Sequence, residues 1–232
     1  MTSLHSPTEL CLVGAGARGL SVLERLLARE RGAARHGSLL IHVVDPAAPG
    51  AGPVRPAGWS GREPRVETAA SEITVYADTG TGSGGPAGRG PNLYEWARSL
   101  ARSAEAGEQG AYGGHGEHPA YGEHGARTLA EARRLGPGSH PTAALHAAYL
   151  RDAFEHLMRN TPAHVAVEVH RARAVSVTGV HDGHGVHGVH GVHGVPDGPR
   201  AVRLDDGTHL DGLDGVILAL GPKEALAAEA AP

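Results

Sequence analysis

The chain has 232 residues, with 21 Lys or Arg against 25 Asp or Glu, which gives a formal net charge of −4 with histidine neutral. This length allows one α/β domain with a substantial core, and the charge excludes the strongly basic surface of a nucleic-acid-binding protein. The one cysteine, Cys11, cannot form an internal disulfide, and the first residues lack the pattern of a signal peptide. The longest apolar run near the end, 216–220, is too short to span a membrane. We expect a cytoplasmic protein with no nucleic-acid or membrane partner.

The first 45 residues carry the pattern of a βαβ unit. An apolar run over 9–13 ends at a glycine, which predicts a short buried strand. From Gly16 onward the spacing is helical. The predicted buried stripe is Leu20, Leu23, Leu26 and Leu27, and the opposite face is Glu24, Arg25, Arg29 and Glu30. A second strand over 39–44 ends at Asp45, and the order strand, glycine turn, helix and strand matches a right-handed βαβ unit.

The rest of the chain alternates irregular segments with short elements. Glycine- and proline-rich segments over 46–65 and 79–90 predict loops, with an extended stretch between them at 66–78. The further predicted elements are helices over 93–104 and 141–160, strands within 164–178, a hairpin over 201–210 and a buried strand over 215–220. The last ten residues predict an alanine-rich helix or a frayed tail. We expect a single domain over 1–232, with flexible insertions at about 104–126 and 181–198.

A glycine motif, GAGARG, occupies 14–19 between the first strand and the helix. The motif alone is weak evidence, but its position after a predicted strand and before an amphipathic helix is typical of a dinucleotide-binding loop. Gly14 permits a tight turn, Gly16 allows the backbone to approach a pyrophosphate, and Gly19 allows the helix to pack close to the sheet. The helix N-terminus adds free N–H groups and the positive end of its dipole.

Two charged residues accompany this loop. Asp45 lies 26 residues beyond Gly19, and its carboxylate can accept hydrogen bonds from both ribose hydroxyls of an adenosine. It would repel a 2′-phosphate, so the unit favours FAD or NAD over NADP. Arg18, in the first helical turn, either binds a phosphate or another chain segment or points to solvent. The alternative interpretation is a glycine turn in an ordinary α/β protein, with Asp45 a simple strand-end residue.

Several segments match a known family pattern. They are LVGAGARGL (12–20), HVVDP (42–46), PGAG (49–52), TAASEITV (68–75), YEWA (94–97), PT (141–142) leading into YL (149–150), and LDGVILALG (213–221). Together they resemble the FAD/NAD(P)-binding proteins grouped with flavin-dependent urate hydroxylase and aspartate N-monooxygenase. The resemblance implies a Rossmann-like α/β domain of the two-dinucleotide flavoprotein type. Its parallel central sheet would be accompanied by a small antiparallel element over roughly 164–212.

The resemblance also implies a cofactor and a reaction. FAD would be bound by Gly14, Gly16, Gly19 and Asp45, and NAD(P)H would reduce the flavin, which activates O₂ to hydroxylate a small nitrogenous substrate. Two residues depart from the family, since Glu67 replaces the usual asparagine and Ala143 replaces an expected arginine. Family members also continue well beyond Gly221, which favours a flavin-binding half of a larger enzyme, with a partner chain as one source of the remainder.

Three functional hypotheses follow. The first is an FAD-dependent oxidoreductase of monooxygenase type, the second a truncated, non-catalytic nucleotide-binding module, and the third an NAD-binding protein without flavin. The sequence identifies no catalytic acid or base. A three-residue repeat places histidines at 181, 184, 187, 190 and 193, which could take up metal ions, but an expanded repeat in a solvent loop explains it better. We therefore assign no metal ligand.

Overall fold

The structure is a computed structural model that describes residues 7–33, 37–51, 63–77, 90–105, 123–178 and 200–220. Its helices are α1 Ala17–Gly32, α2 Leu93–Glu105, α3 Glu123–Ala132 and α4 Ala143–Arg159. Its strands are β1 Thr8–Val13, β2 Leu39–Val44, β3 Val165–His170, β4 Ala174–Thr178, β5 Arg200–Leu204, β6 His209–Leu213 and β7 Gly215–Leu218. Among the described residues, no helix combines the length and apolarity needed to cross a bilayer.

Four strands form a parallel sheet in the order β3-β2-β1-β7. The β1 strand lies inside the sheet, with Leu12 opposite Val43 on one side and Ile217 on the other. The apolar residues that dominate β1 and β2 are typical of a parallel sheet covered on both faces. The predicted βαβ unit is confirmed, because β1 and β2 pair in parallel and α1 connects them. The α/β class with a parallel central sheet is confirmed with it.

Helices cover one face of this sheet. The α1 residues Leu20, Leu23 and Leu27 are fully buried in a core that also contains Ile41 and Val43 from β2. Helix α4 joins the same core, where it contributes Leu145, Tyr149 and Leu157. Burial of such side chains stabilises the fold by roughly 1.5–3 kcal/mol each. The carboxyl ends of β1 and β2, where the glycine motif begins, are thereby held in place.

An antiparallel sheet, in the order β4-β5-β6, lies on the other face. Its buried residues Val202, Leu204, Leu210 and Leu213 share a second core with Cys11 and neighbouring residues of the parallel sheet. The predicted small antiparallel element is confirmed, but it begins at β4 rather than at roughly 164, because β3 pairs in parallel with β2. Strand β3 alternates apolar and polar residues because it is an edge strand, so alternation did not distinguish the two sheets.

One residue on the side of α1 that is predicted to face solvent is buried in the structure. Glu24 is fully buried, in line with Leu20 and Leu27 one turn away on either side. The Nη2 atom of Arg31 lies 3.9 Å from Oε1, and the backbone of Ala77 is a further partner of this carboxylate. Burial is the main influence on this group, and it raises the pKa of Glu24. The prediction failed because α1 is covered on a wider arc than its leucine stripe indicates.

Segment 66–77 also differs from expectation. It consists of turns and bends rather than a strand, although Ile73, Val75 and Tyr76 are buried as the predicted pattern of apolar residues implies. Its backbone pairs with a distant loop, since the N–H groups of Val66 and Ala70 donate to the carbonyl oxygens of Pro141 and Ser139. These hydrogen bonds satisfy the backbone without a ladder of strand pairs.

Several predicted irregular segments lie wholly or partly outside the described residues. These are 52–62 and 79–89 of the predicted loops, 106–122 and 181–198 of the predicted insertions, and the last ten residues. At the edges of the first predicted insertion, the described residues are helical, since α2 ends at Glu105 and α3 begins at Glu123. The predicted helices at 93–104 and 141–160, and the hairpin at 201–210, are confirmed as α2, α4 and the β5–β6 pair.

Candidate functional site

The glycine motif forms the turn from β1 into α1. Gly14 has a φ of +100°, a conformation that favours glycine, and its N–H donates to the Val44 carbonyl at 2.8 Å. A Cβ at Gly14 would lie 2.7 Å from the carbonyl oxygen of Ala219, just after β7. A Cβ at Gly19 would overlap the Gly14 carbonyl oxygen. These two glycines are required by the protein's own packing, as the turn and the helix–sheet contact predict.

Gly16 differs from the other two glycines. It is the N-cap of α1 in an extended conformation (φ −77°, ψ −167°), and a Cβ placed there would meet nothing within 4 Å. Its carbonyl accepts the first helical hydrogen bond from Leu20, at 2.9 Å. The N–H groups of the first helical turn have no partner within the helix itself, which is general for α-helices. Contacts with the described residues therefore do not require glycine here, although glycine is a favourable N-cap.

Asp45 supports the glycine loop from the end of β2. Its Oδ2 accepts a hydrogen bond from the N–H of Ala15 and its Oδ1 from the N–H of Ala47, each at 2.8 Å. Its own N–H donates to the carbonyl of His170 at 3.1 Å. A carboxylate has about four lone-pair sites, so these contacts leave acceptor capacity on both oxygens. Asp45 can accept ligand hydroxyls while it holds the loop.

A segment after β2 closes against the loop and was not singled out as part of the site by sequence. Gly50 donates its N–H to the carbonyl of Ala15 at 3.0 Å. Its φ is +73°, and a Cβ there would lie 2.6 Å from the backbone of Leu150 in α4. The sequence signal for this role is PGAG at 49–52, whose first glycine, Gly50, packs against the backbone of α4. Gly50 thus joins the glycine loop to α4.

Arg18 lies at the start of α1, and its guanidinium is exposed. The Nη1 atom donates to the carbonyl of Leu220 at 3.2 Å, which corresponds to the predicted contact with another chain segment. The structure thus brings Gly14, Gly16, Gly19 and Asp45 together, with Arg18 at the side nearest the end of β7. Cys11 lies in the core just before this turn, where burial raises the pKa of its thiol to about 11. That residue is not a nucleophile at neutral pH.

The two departures from the family pattern lie outside this loop. Glu67 is an exposed residue in a bend, and Ala143 is the first residue of α4. Thr142 caps that helix through its side chain, which accepts a hydrogen bond from the N–H of Leu145 at 3.2 Å. Ala143 needs no special conformation to begin a helix after such a cap. Neither departure disturbs the geometry of the glycine loop.

Replacement of Asp45 by asparagine is expected to destabilise the fold. One oxygen becomes an amide group that cannot accept the hydrogen bond of Ala15 or Ala47, so a charge-assisted hydrogen bond is lost and an N–H group loses its partner. We expect the free energy of unfolding to fall by roughly 1–3 kcal/mol in urea denaturation. Asp211→Asn, at an exposed position on β6, is the matched control. Equal stability of the two variants would contradict the supporting role of Asp45.

Three comparisons with known proteins bear on this site. The sequence pattern of the FAD-NAD(P)-binding family matches residues 11–223, which is most of the chain. The matched region includes the glycine loop, both sheets and the helices described above. The glycine loop and the family match therefore point to the same class of ligand.

The relatives include two named enzymes. An L-aspartate N-monooxygenase (nitrosuccinate-forming) from Streptomyces cremeus is 44% identical over 215 residues, covering 91% of this chain and 28% of the relative. An enzyme of the same name from Streptomyces davaonensis is 39% identical over 217 residues, covering 91% of this chain and 29% of the relative. Among solved structures, a lysine monooxygenase from Nocardia farcinica has a TM-score of 0.43 at 18% identity, over 92% of this chain and 54% of that chain. The chain thus spans less than a third of the length of these two curated relatives.

Proposed function

The chain belongs to the FAD-NAD(P)-binding family, and on this premise we propose that it is the FAD-binding part of an FAD-dependent oxidoreductase of the monooxygenase type. The observation that carries the proposal is the open position at Gly16. There, an absent side chain leaves the N-terminus of α1 accessible while Gly14 and Gly19 are fixed by packing. This is the arrangement that lets a helix N-terminus accept a pyrophosphate.

The proposal assigns a task to each residue of the loop. Gly14 and Gly19 shape the turn, Gly16 gives the pyrophosphate access to the backbone, and the N–H groups of the first helical turn donate to its oxygens. Asp45 holds the loop and accepts hydrogen bonds from the adenosine ribose. Arg18 adds a positive charge beside the glycine loop. Its guanidinium donates to the carbonyl of Leu220 and has further N–H groups that can donate to a phosphate. Bound FAD would supply the redox chemistry, with NAD(P)H as the electron donor and O₂ as the oxidant.

The proposed substrate is a small nitrogenous molecule, with L-aspartate as the first candidate. Its support is the activity for which the two bacterial relatives are named, one of them 44% identical to this chain. Since the matched region is 28% of that relative, turnover is proposed only together with the part of such enzymes that this chain does not match. A partner chain is one way to supply that part. A cytoplasmic location remains a prediction of the sequence.

Two other functions remain as alternatives. The chain could be a nucleotide-binding module without catalysis, since its sequence identifies no catalytic acid or base. It could also bind NAD without flavin, because a glycine loop followed by Asp45 suits the ADP half of either dinucleotide. These alternatives differ in the ligand bound and in turnover, so one series of measurements separates all three.

The test is a turnover assay, in the presence of FAD, of a chimeric enzyme in which this chain replaces the matched region of the Streptomyces cremeus relative. NADH or NADPH consumption is followed with L-aspartate and, as the matched control, with D-aspartate, and N-oxidised aspartate is measured by mass spectrometry. The proposed function predicts retained FAD, with consumption and product only in the presence of the L-isomer. Retained FAD without turnover would overturn the oxidoreductase assignment for this chain and favour the module. Binding of NAD but not FAD would favour the third function.

A further inference from the structure

A polar cluster lies on the face of the parallel sheet opposite α1, beside the antiparallel sheet. Its members are His42 on β2 and Glu168 and His170 on β3. In the register of these two parallel strands, His42 lies opposite Glu168, and Val44 lies opposite His170. Side chains two residues apart on a strand share a face, so all three point to the same side of the sheet. None of them belongs to the glycine loop.

The three side chains are close enough to share one ion. The Nδ1 atom of His42 lies 3.0 Å from Nε2 of His170 and 3.6 Å from Oε2 of Glu168, and one ligand atom from each residue falls within 4.8 Å of the others. Two ligands of a tetrahedral zinc ion, each at about 2.0–2.2 Å, are roughly 3.3–3.5 Å apart. Two of the ligand–ligand distances lie near this spacing and the third is at most 4.8 Å, so small side-chain rotations would complete a first coordination shell without moving the strands.

We propose that His42, Glu168 and His170 form a binding site for one divalent transition-metal ion, with Zn²⁺ as the best-fitting ion. Two imidazoles and a carboxylate suit zinc, nickel and copper better than calcium or magnesium. The set fills three positions and leaves a fourth for water. The side chain of Glu168 is 58% exposed and that of His42 is 8% exposed, so an ion can enter from solvent and be held against the sheet.

A further carboxylate supports the arrangement. The Oε2 atom of Glu9, on β1, lies 3.9 Å from Nε2 of His42. A metal-bound histidine commonly donates its remaining ring N–H to a carboxylate, which fixes the ring and its tautomer. Here Nδ1 of His42 would hold the ion, and Nε2 would face the Glu9 carboxylate across 3.9 Å, which is an ion-pair distance longer than a hydrogen bond.

Without an ion the same geometry is a hydrogen-bonded histidine pair. One ring of the His42–His170 pair must carry the proton between the two nitrogens, and that proton leaves when both nitrogens bind an ion. The pair explains the 3.0 Å distance, and the strand register brings Glu168 to 3.6 Å from the same nitrogen. A single bound ion would use both contacts. Sequence spacing cannot reveal this site, because two of its ligands lie on β3, far along the chain from β2.

The test uses the metal alone as the probe, in a full-length chain with competing histidines removed. The background chain carries asparagine in place of the histidines at 115, 118, 124, 181, 184, 187, 190 and 193. Zn²⁺ binding is measured by calorimetry, and Co²⁺ binding by its visible ligand-field bands. We expect one ion of either metal per background chain. We expect roughly 10- to 100-fold weaker binding in the separate variants His170→Gln and Glu168→Gln, since even the loss of an outer-shell partner has that effect.

His209→Gln, at an exposed histidine on β6, is the matched control and should bind as the background chain does. Circular dichroism of each variant checks that it is folded, and the exposed Glu168 provides a variant with little structural risk. No saturable binding by the background chain would overturn the proposal in favour of a hydrogen-bonded histidine pair. Equal affinity in Glu168→Gln, His170→Gln and His209→Gln would overturn it as well.

Discussion

Valine in place of Gly16 is expected to abolish FAD binding while the chain remains folded. The Cβ position of Gly16 is free of protein atoms within 4 Å and the backbone there is extended, so a branched side chain fits the apo protein. The same side chain occupies the space through which a pyrophosphate reaches the helix N-terminus. We expect FAD affinity to fall roughly 100-fold or more, equivalent to about 3 kcal/mol. The measurement is an equilibrium titration with FAD, in which binding is monitored by flavin fluorescence.

Stability controls separate this effect from misfolding. Valine is a poorer N-cap than glycine, so a loss of at most about 1 kcal/mol in the free energy of unfolding is expected. Gly37→Val is the matched control, because its Cβ also meets nothing within 4 Å and it lies just before β2, at the opposite end of that strand from Asp45. Full FAD affinity in Gly16→Val would place the nucleotide elsewhere.

Alanine in place of Gly19 is expected to produce the largest loss of stability. In a helix this change would ordinarily stabilise by about 1 kcal/mol, because alanine has the higher helix propensity. Here the new Cβ would overlap the Gly14 carbonyl oxygen, a backbone atom held between β1 and α1. Overpacking of that kind costs roughly 3 kcal/mol, which corresponds to a fall of about 6–12 °C in Tm for a chain of this size.

The prediction for Gly19→Ala is tested by whether its Tm falls or rises relative to the wild type. Differential scanning calorimetry of Gly19→Ala against Gly37→Ala gives the comparison, since the second substitution adds a methyl group in open space. A Tm for Gly19→Ala equal to or above that of the wild type would show that α1 does not pack against the loop as described. FAD affinity should fall together with stability in this variant, in contrast to Gly16→Val.

The βαβ unit could be predicted from sequence because its signals are local. Each signal can be read from residues that are close together in the sequence. These signals are the apolar run before Gly14, the leucines Leu20, Leu23 and Leu27, and the acidic residue after β2. The elements β1, α1 and β2 accordingly lie within a residue or so of their predicted bounds. The glycine pattern also separates two roles that the structure distinguishes, since Gly14 and Gly19 meet backbone atoms while Gly16 meets none.

The failed predictions concern contacts between distant segments. Glu24 looks like a surface residue until other parts of the chain cover its side of α1. The apolar residues of the 66–77 segment predict an extended stretch in contact with the core. In the structure, N–H groups of this segment instead donate hydrogen bonds to the loop before α4. The polar face shared by His42 and His170 arises from strand register, which the sequence does not encode locally. In each case, a partner many residues away decides the environment.

The most direct test of the account is equilibrium binding of FAD to the wild-type chain freed of nucleotide, with ADP and NAD as competitors. The account predicts saturable binding of one FAD per chain, displaced competitively by ADP because both occupy the N-terminus of α1. Absence of FAD binding by the folded chain, or FAD binding that saturating ADP leaves unchanged, would contradict it.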